Sequence, residues 1–149
     1  MIIRKYQDSD KERVLELLRL NTPEYFSPTE EKDLISYLDN HSDNYYVVEL
    51  DNSIFCCGGL NSSDDPEIVK ISWDIVHPQS QRKGIGSVLL KFRIQKIKEM
   101  EGVRTISVRT SQLAYPFYAR FGFETTEIVK DFWAEGFDLY RMECDLNSI

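Results

Sequence analysis

The stretch from residue 67 to residue 109 constrains the fold of this chain more than any other. Residues 67–76, EIVKISWDIV, alternate as a long strand, with Ile71, Trp73 and Ile75 predicted on one face and Lys70, Ser72 and Asp74 on the other. A glycine-bearing loop follows His77-Pro78, and a long helix then runs to about Met100. Leu90, Ile94 and Ile97 line one side of that helix, Lys91, Lys96 and Lys98 stay wet, and Gly102 ends it. Residues 103–109 form the next strand. This strand–loop–helix–strand unit alone has the length for a right-handed parallel crossover.

The remaining elements arrange themselves around it. Residues 1–6 read as a short strand, and residues 10–20 as a helix with Val14, Leu17 and Leu18 at i, i+3, i+4 and a capping box from Ser9 to Glu12. Ser27-Pro28-Thr29-Glu30 starts a second helix, with Pro28 at its first position and Leu34, Ile35 and Leu38 on its apolar side. Residues 45–50 and 54–60 form a hairpin across Asp51-Asn52-Ser53, and residues 61–66 are a polar loop. Residues 113–121 form a short helix with Ala114, Phe117, Tyr118 and Phe121 on one stripe, capped by Gly122. Residues 123–132 and 137–146 close the chain as a strand pair joined near Trp133-Ala134-Glu135-Gly136. The order β-α-α-β-β-β-α-β-α-β-β defines an α/β (α+β) sheet with helices on its faces. At 149 residues the chain reads as a single domain spanning 1–149, since about 150 residues is a typical domain length.

Composition narrows the function. With 25 acidic and 18 basic residues the net charge is −7, which argues against a sequence-independent nucleic-acid binder. No apolar run reaches the roughly 18 residues that a membrane span needs, and the N-terminus lacks the apolar stretch of a secretory signal. A cytoplasmic protein is expected. Cys56 and Cys57 are adjacent, so on a strand they face opposite sides and cannot both meet Cys144; all three read as buried free thiols in a reducing compartment. Three cysteines with His41 and His77 make no metal-ligand spacing, so no metal is expected.

Gln81-Arg82-Lys83-Gly84-Ile85-Gly86-Ser87 carries the clearest chemistry. Backbone N–H groups at a helix start lack internal partners and carry positive partial charge. Gly84 and Gly86 permit close approach of a ligand, and Arg82 and Lys83 add two cations. A pyrophosphate suits such a loop. The P-loop pattern is absent, and Gly84-Ile85-Gly86 lacks the third glycine of a dinucleotide fingerprint.

The run Val76-His77-Pro78-Gln79-Ser80-Gln81-Arg82-Lys83-Gly84-Ile85-Gly86 resembles the acyl-CoA signature of the GNAT acyltransferase superfamily, Q/R-x-x-G-x-G/A after a strand ending in Val-x-Pro. Phe117-Tyr118-Ala119-Arg120-Phe121-Gly122-Phe123-Glu124 resembles a second segment of that family, and the element order agrees with its fold from end to end. The resemblance implies a mixed, mostly antiparallel sheet splayed at a central parallel pair and flanked by about four helices. It implies that pantetheine pairs with backbone near Ile75 and Val76, that Gln81 to Ser87 surround the pyrophosphate, and that acyl-CoA donates its acyl group directly to an amine. Many members carry an asparagine seven residues before the motif tyrosine to help hold the pantetheine; here that position is Ser111.

Acyl transfer to an amine needs a neutral nucleophile, whereas a lysine-type ammonium has a pKa of about 10.4. It also needs an acid for the departing thiolate. Tyr118 is the acid that the resemblance implies, because a phenol of pKa about 10 is protonated at neutral pH. Asp74 is the candidate base, with Glu67 at the far end of the same strand as a further one; the family has no fixed base position. His77, before Pro78, reads as a loop-packing residue.

The segments that vary in this fold, residues 21–42 and 131–138, hold Tyr25, Phe26, Tyr37, Phe132 and Trp133 beside Glu24, Glu30, Glu31, Asp131, Glu135 and Asp138. Aromatics and carboxylates around a cleft suit a cationic amine. The expected protein is an acetyl-CoA-dependent N-acetyltransferase acting on a primary amine of a small molecule or peptide, working as a monomer or homodimer. The alternative is a non-catalytic acyl-CoA-binding or sensing module of the same fold.

Overall fold

The computed structural model describes residues 1–81 and 83–149. Seven strands form one mixed sheet: β1 (Ile2–Lys5), β2 (Tyr45–Leu50), β3 (Ser53–Ser62), β4 (Ile68–Val76), β5 (Thr105–Thr110), β6 (Glu124–Ala134) and β7 (Phe137–Asp145). Their spatial order is β1-β2-β3-β4-β5-β7-β6, antiparallel everywhere except between β4 and β5. Helices α1 (Lys11–Leu20), α2 (Glu31–Asn40), α3 (Ile85–Lys98) and α4 (Tyr115–Ala119) lie between the strands in the predicted order. None of the described helices is long and apolar enough to cross a membrane.

Each sheet face has its own core. Val69, Ile71, Ile106, Val108 and Met142 pack with Leu89, Leu90, Ile94 and Ile97 of α3. On the opposite face Val47, Ile54, Cys57 and Ile75 pack with Val14, Leu17 and Leu18 of α1 and Leu34 and Leu38 of α2. Each of these apolar side chains contributes roughly 1.5–3 kcal/mol by leaving water. Cys56 and Cys57 fall in different cores, as strand alternation requires, and all three cysteines are free and buried.

Turn chemistry fixes the connections. Asp51 and Asn52 both have positive φ, the left-handed pair that matches a two-residue hairpin to strand twist. At the predicted second helix start Ser27 and Glu30 form a capping box, with the Ser27 N–H donating to Glu30 at 2.7 Å. The start of α1 differs from expectation. A 3-10 turn over Asp8–Asp10 precedes it, and the box joins Gln7 to Asp10, not Ser9 to Glu12. The reason is Arg4, whose guanidinium binds the Asp10 carboxylate at 2.8 and 2.9 Å and draws it to the sheet edge.

Two irregularities in β4 shape the centre of the molecule. Its pairing with β5 runs only from Ile68↔Thr105 to Ile71↔Val108, so residues 72–76 leave the parallel ladder. Opposite β3, the register passes from Gly59↔Ser72 to Cys57↔Ile75, so Trp73 and Asp74 together face Gly58. This is a β-bulge, and Trp73 has φ 51°. The extra residue reverses the alternation and corrects the predicted faces. Ile71, Asp74 and Val76 lie on the α3 side, whereas Ser72 and Ile75 lie on the α1/α2 side.

Candidate active site

The bulge turns Asp74 inward, and two residues meet it. Arg93, on the apolar stripe of α3 with 1% of its surface exposed, donates from Nη1 to Asp74 Oδ1 at 2.6 Å and to the Gly59 carbonyl at 2.9 Å. The Tyr118 hydroxyl, on α4, donates to Asp74 Oδ2 at 2.5 Å. Burial works against the Arg93 charge, and Asp74 overcomes it, so the guanidinium is held more firmly protonated than usual. Burial, reinforced by the Asp74 charge, raises the Tyr118 phenol well above 10.0. The triplet therefore consists of an ion pair and a phenol that keeps its proton.

Glycine makes this approach possible. A Cβ at Gly58 would lie 2.1 Å from Asp74 Oδ1 and 2.8 Å from Arg93 Nη1, closer than any side chain permits. The carbonyl of Trp73, displaced by the bulge, accepts the Tyr45 hydroxyl at 2.8 Å.

A cleft of about 1280 Å³ opens from this triplet through the gap between β4 and β5. On its α3 side lie Gly84, Gly86, Ser87, Phe117 and Arg120. Gly84 adopts φ 84° as the N-cap of α3, and the first helical bond runs from the Val88 amide to the Gly84 carbonyl. The amides of Ile85, Gly86 and Ser87 therefore have no partner within the helix. A Cβ on Gly86 would meet Val76 at 3.4 Å and Phe117 at 3.6 Å, ordinary van der Waals contact, so the helix starts between these two walls. Lys83 is exposed beside them. These features fit an extended thiol cofactor with a pyrophosphate: a strand edge free of β5, a row of helix-start amides and an adjacent cation.

Of the other predicted site residues, Gln81 lines the cleft, with its amide nitrogen donating to Asn21 Oδ1 at 2.9 Å. Ser111 lines it too, and its hydroxyl accepts the Leu113 amide at 3.2 Å, which starts the turn into α4. Ile75 is buried in the α1/α2 core, and the Val76 carbonyl receives the Asn21 side-chain amide at 3.0 Å. Arg82 lies outside the described residues. Glu67 is not brought to the cleft; it is exposed and pairs with Arg104 at 3.2 Å. His77 caps a 3-10 turn through Nδ1, packs on Phe55, and is lowered in pKa by burial.

Three contributors escaped the sequence reading: Arg93, Gly58 and Asn21. Arg93 had a visible signal, a charge among Leu89, Leu90, Ile94 and Ile97 at helical spacing. Asn21, at the end of α1, bonds back to Leu17 and bridges to Val76 and Gln81 across long sequence separations, and gave none.

The far side of the cleft is walled by Tyr25, Phe26, Tyr37 and Trp73, with Phe26 stacked on Trp73 at 6.2 Å. Burial pushes the Tyr37 phenol up to about 12, and its hydroxyl donates to Asn61 at 2.5 Å. Of the acidic residues predicted near the acceptor, Glu30 lines the cleft. Glu31 pairs with Arg19, and Asp131 and Asp138 accept backbone amides within the last hairpin.

The profile of the acetyltransferase (GNAT) domain matches residues 8–146, and the chain belongs to this family. An N-alpha-acetyltransferase of Sulfurisphaera tokodaii is 26% identical over 161 residues, covering 97% of this chain and 92% of the relative. The loading GNATL domain of CurA from Lyngbya majuscula superposes with a TM-score of 0.83 at 14% identity, covering 99% of this chain and 98% of that one. An aminoglycoside 6'-N-acetyltransferase complexed with coenzyme A superposes with a TM-score of 0.78 at 14% identity, covering 98% and 97% of the two chains. The fold is the GNAT fold, with its splayed parallel pair.

Proposed function

We propose that the chain acts as one domain that transfers an acetyl group from acetyl-CoA directly to a primary amine of a small molecule or peptide. The observation that carries this reading is the Tyr118–Asp74–Arg93 triplet at the mouth of the β4/β5 gap, beside the free amides of α3. When bound, acetyl-CoA supplies the activated acyl thioester. Gln81, Arg82, Lys83, Gly84, Ile85, Gly86 and Ser87 hold its pyrophosphate, and Ile75, Val76 and Ser111 border the pantetheine. Tyr118 holds the proton that the departing thiolate takes, since its raised pKa keeps the phenol protonated at working pH. Asp74, predicted as a base, has both carboxylate oxygens engaged; in this reading it orients the Tyr118 hydroxyl, and the proton that the amine loses restores the phenol once the thiolate has taken its proton.

Thiol release from acetyl-CoA, measured across polyamines, amino acids, aminoglycosides and peptide N-termini, tests the reading. Turnover of at least one amine is expected. Saturable acetyl-CoA binding with no release from any amine would replace it with a non-catalytic acyl-CoA-binding module.

A further inference from the structure

The unspent charge of the cleft is positive, in a chain whose net charge is −7. Its two carboxylates are already bonded: Asp74 to Arg93 and Tyr118, and Glu30 to the Ser27 amide. Lys70 and Arg109 line the same cleft, and neither has a carboxylate partner among the described residues.

Their position separates them from the cofactor side. Lys70 stands opposite Ser107 in the parallel ladder, and Arg109 follows two residues on, so both project from one sheet face. The alternate residues Val69, Ile71, Ile106 and Val108 pack toward α3. Lys70 and Arg109 therefore face away from the helix whose first amides suit a pyrophosphate. Arg120, the remaining unpaired cation of the cleft among the described residues, stays on the α4 side over the Phe117 ring.

Arg109 is held in place. Its guanidinium carbon lies 5.0 Å from the Phe132 ring centroid and 5.4 Å from that of Trp133. Trp133 is itself anchored, its indole N–H donating to the Thr110 carbonyl at 3.1 Å. Rings over a guanidinium engage its face and leave the in-plane N–H donors for an anion. Arg141, across the ladder from Arg109, pairs with Glu127 at 2.9 Å. Burial, and then the charge of Arg141, lowers the Arg109 pKa, and Glu127 offsets them only in part, so an anion entering the site is favoured.

We infer that Lys70 and Arg109 form a carboxylate subsite on the acceptor side of the cleft, so that the acceptor is an amine that also carries a carboxylate, as an amino acid does. This rests on the acyl-transfer reading above and reverses the charge expected of the acceptor from the acidic segments.

The test compares amino acids with their own carboxamides, with the full chain and saturating acetyl-CoA. The acid of each pair is expected to show kcat/KM higher by about tenfold or more, the worth of one charge-assisted contact. Arg109→Gln and Lys70→Gln should each erase that preference by raising KM for the acid, with Arg109→Lys restoring part of it. Amides used as well as acids, or variants that slow both alike, would overturn the inference. If no amine of either kind releases thiol, the acyl-transfer reading fails separately. The subsite is then read by calorimetry with N-acetyl amino acids and their amides in the presence of CoA. Binding of the acid alone, lost in Arg109→Gln, upholds it; equal binding of both, or of neither, overturns it.

Discussion

Arg93 is a full positive charge set among leucines and isoleucines, and its surroundings explain how it is tolerated. Asp74 and the Gly59 carbonyl satisfy Nη1, and the Leu89 carbonyl lies 3.4 Å from Nε. Removing one member of such a buried pair leaves the other uncompensated, at a cost of about 3–5 kcal/mol. Arg93→Met should lose about that much stability in urea, and Arg93→Lys should recover part of it. Tyr118→Phe keeps the ring packing and deletes the proton. It should lower kcat by roughly 10²–10⁴ with a smaller change in KM, measured by thiol release. Because burial and Asp74 raise the phenol well above 10.0, wild-type kcat should show no downward limb attributable to Tyr118 up to pH 10. Retained turnover in the phenylalanine variant would remove Tyr118 from the reaction.

At the scale of elements, the chain was legible where local rules decide. Pro28 at the start of the second helix, the Asp51-Asn52 turn and the α3 stripe all follow from spacing and turn chemistry. It was illegible where a distant partner decides. Arg4 reassigned the cap of α1, and the bulge opposite Gly58 inverted the second half of β4, which simple alternation could not foresee. Gly58→Ala tests the bulge: the added methyl must displace Asp74 or Arg93. Loss of about 1–3 kcal/mol is expected, with a fall in turnover like that of a broken Tyr118–Asp74 contact. The Arg4–Asp10 contact makes a pH prediction. The Arg4 hydrogen bond lowers the Asp10 pKa below 3.8 despite burial, so its stabilisation is present above that value and is lost as pH falls through the lower folded value. Asp10→Asn should flatten the acid limb of a stability-versus-pH curve.

For the whole molecule, the element order was readable from hydrophobic period and turn chemistry, and the splayed pair only through the resemblance that two motifs at the right separation carry. The distribution of charge was not, since which carboxylates are already bonded depends on tertiary contacts. Acetyl-CoA should raise the melting temperature with the logarithm of its concentration, by about 2.7 kcal/mol of stability at a hundredfold excess over Kd. No shift at millimolar CoA would exclude a cofactor site. The bulge also sets a rule for how this chain can vary. The first half of β4, ending at Ser72, and its second half, beginning at Asp74, are two phases of one strand joined by a single surplus residue, Trp73. Deleting one residue between them would merge the phases and turn Asp74 away from Tyr118 while every side chain is retained. The length of β4 is thus inherited more strictly than its composition, and natural variants should exchange residues here far more freely than they gain or lose one.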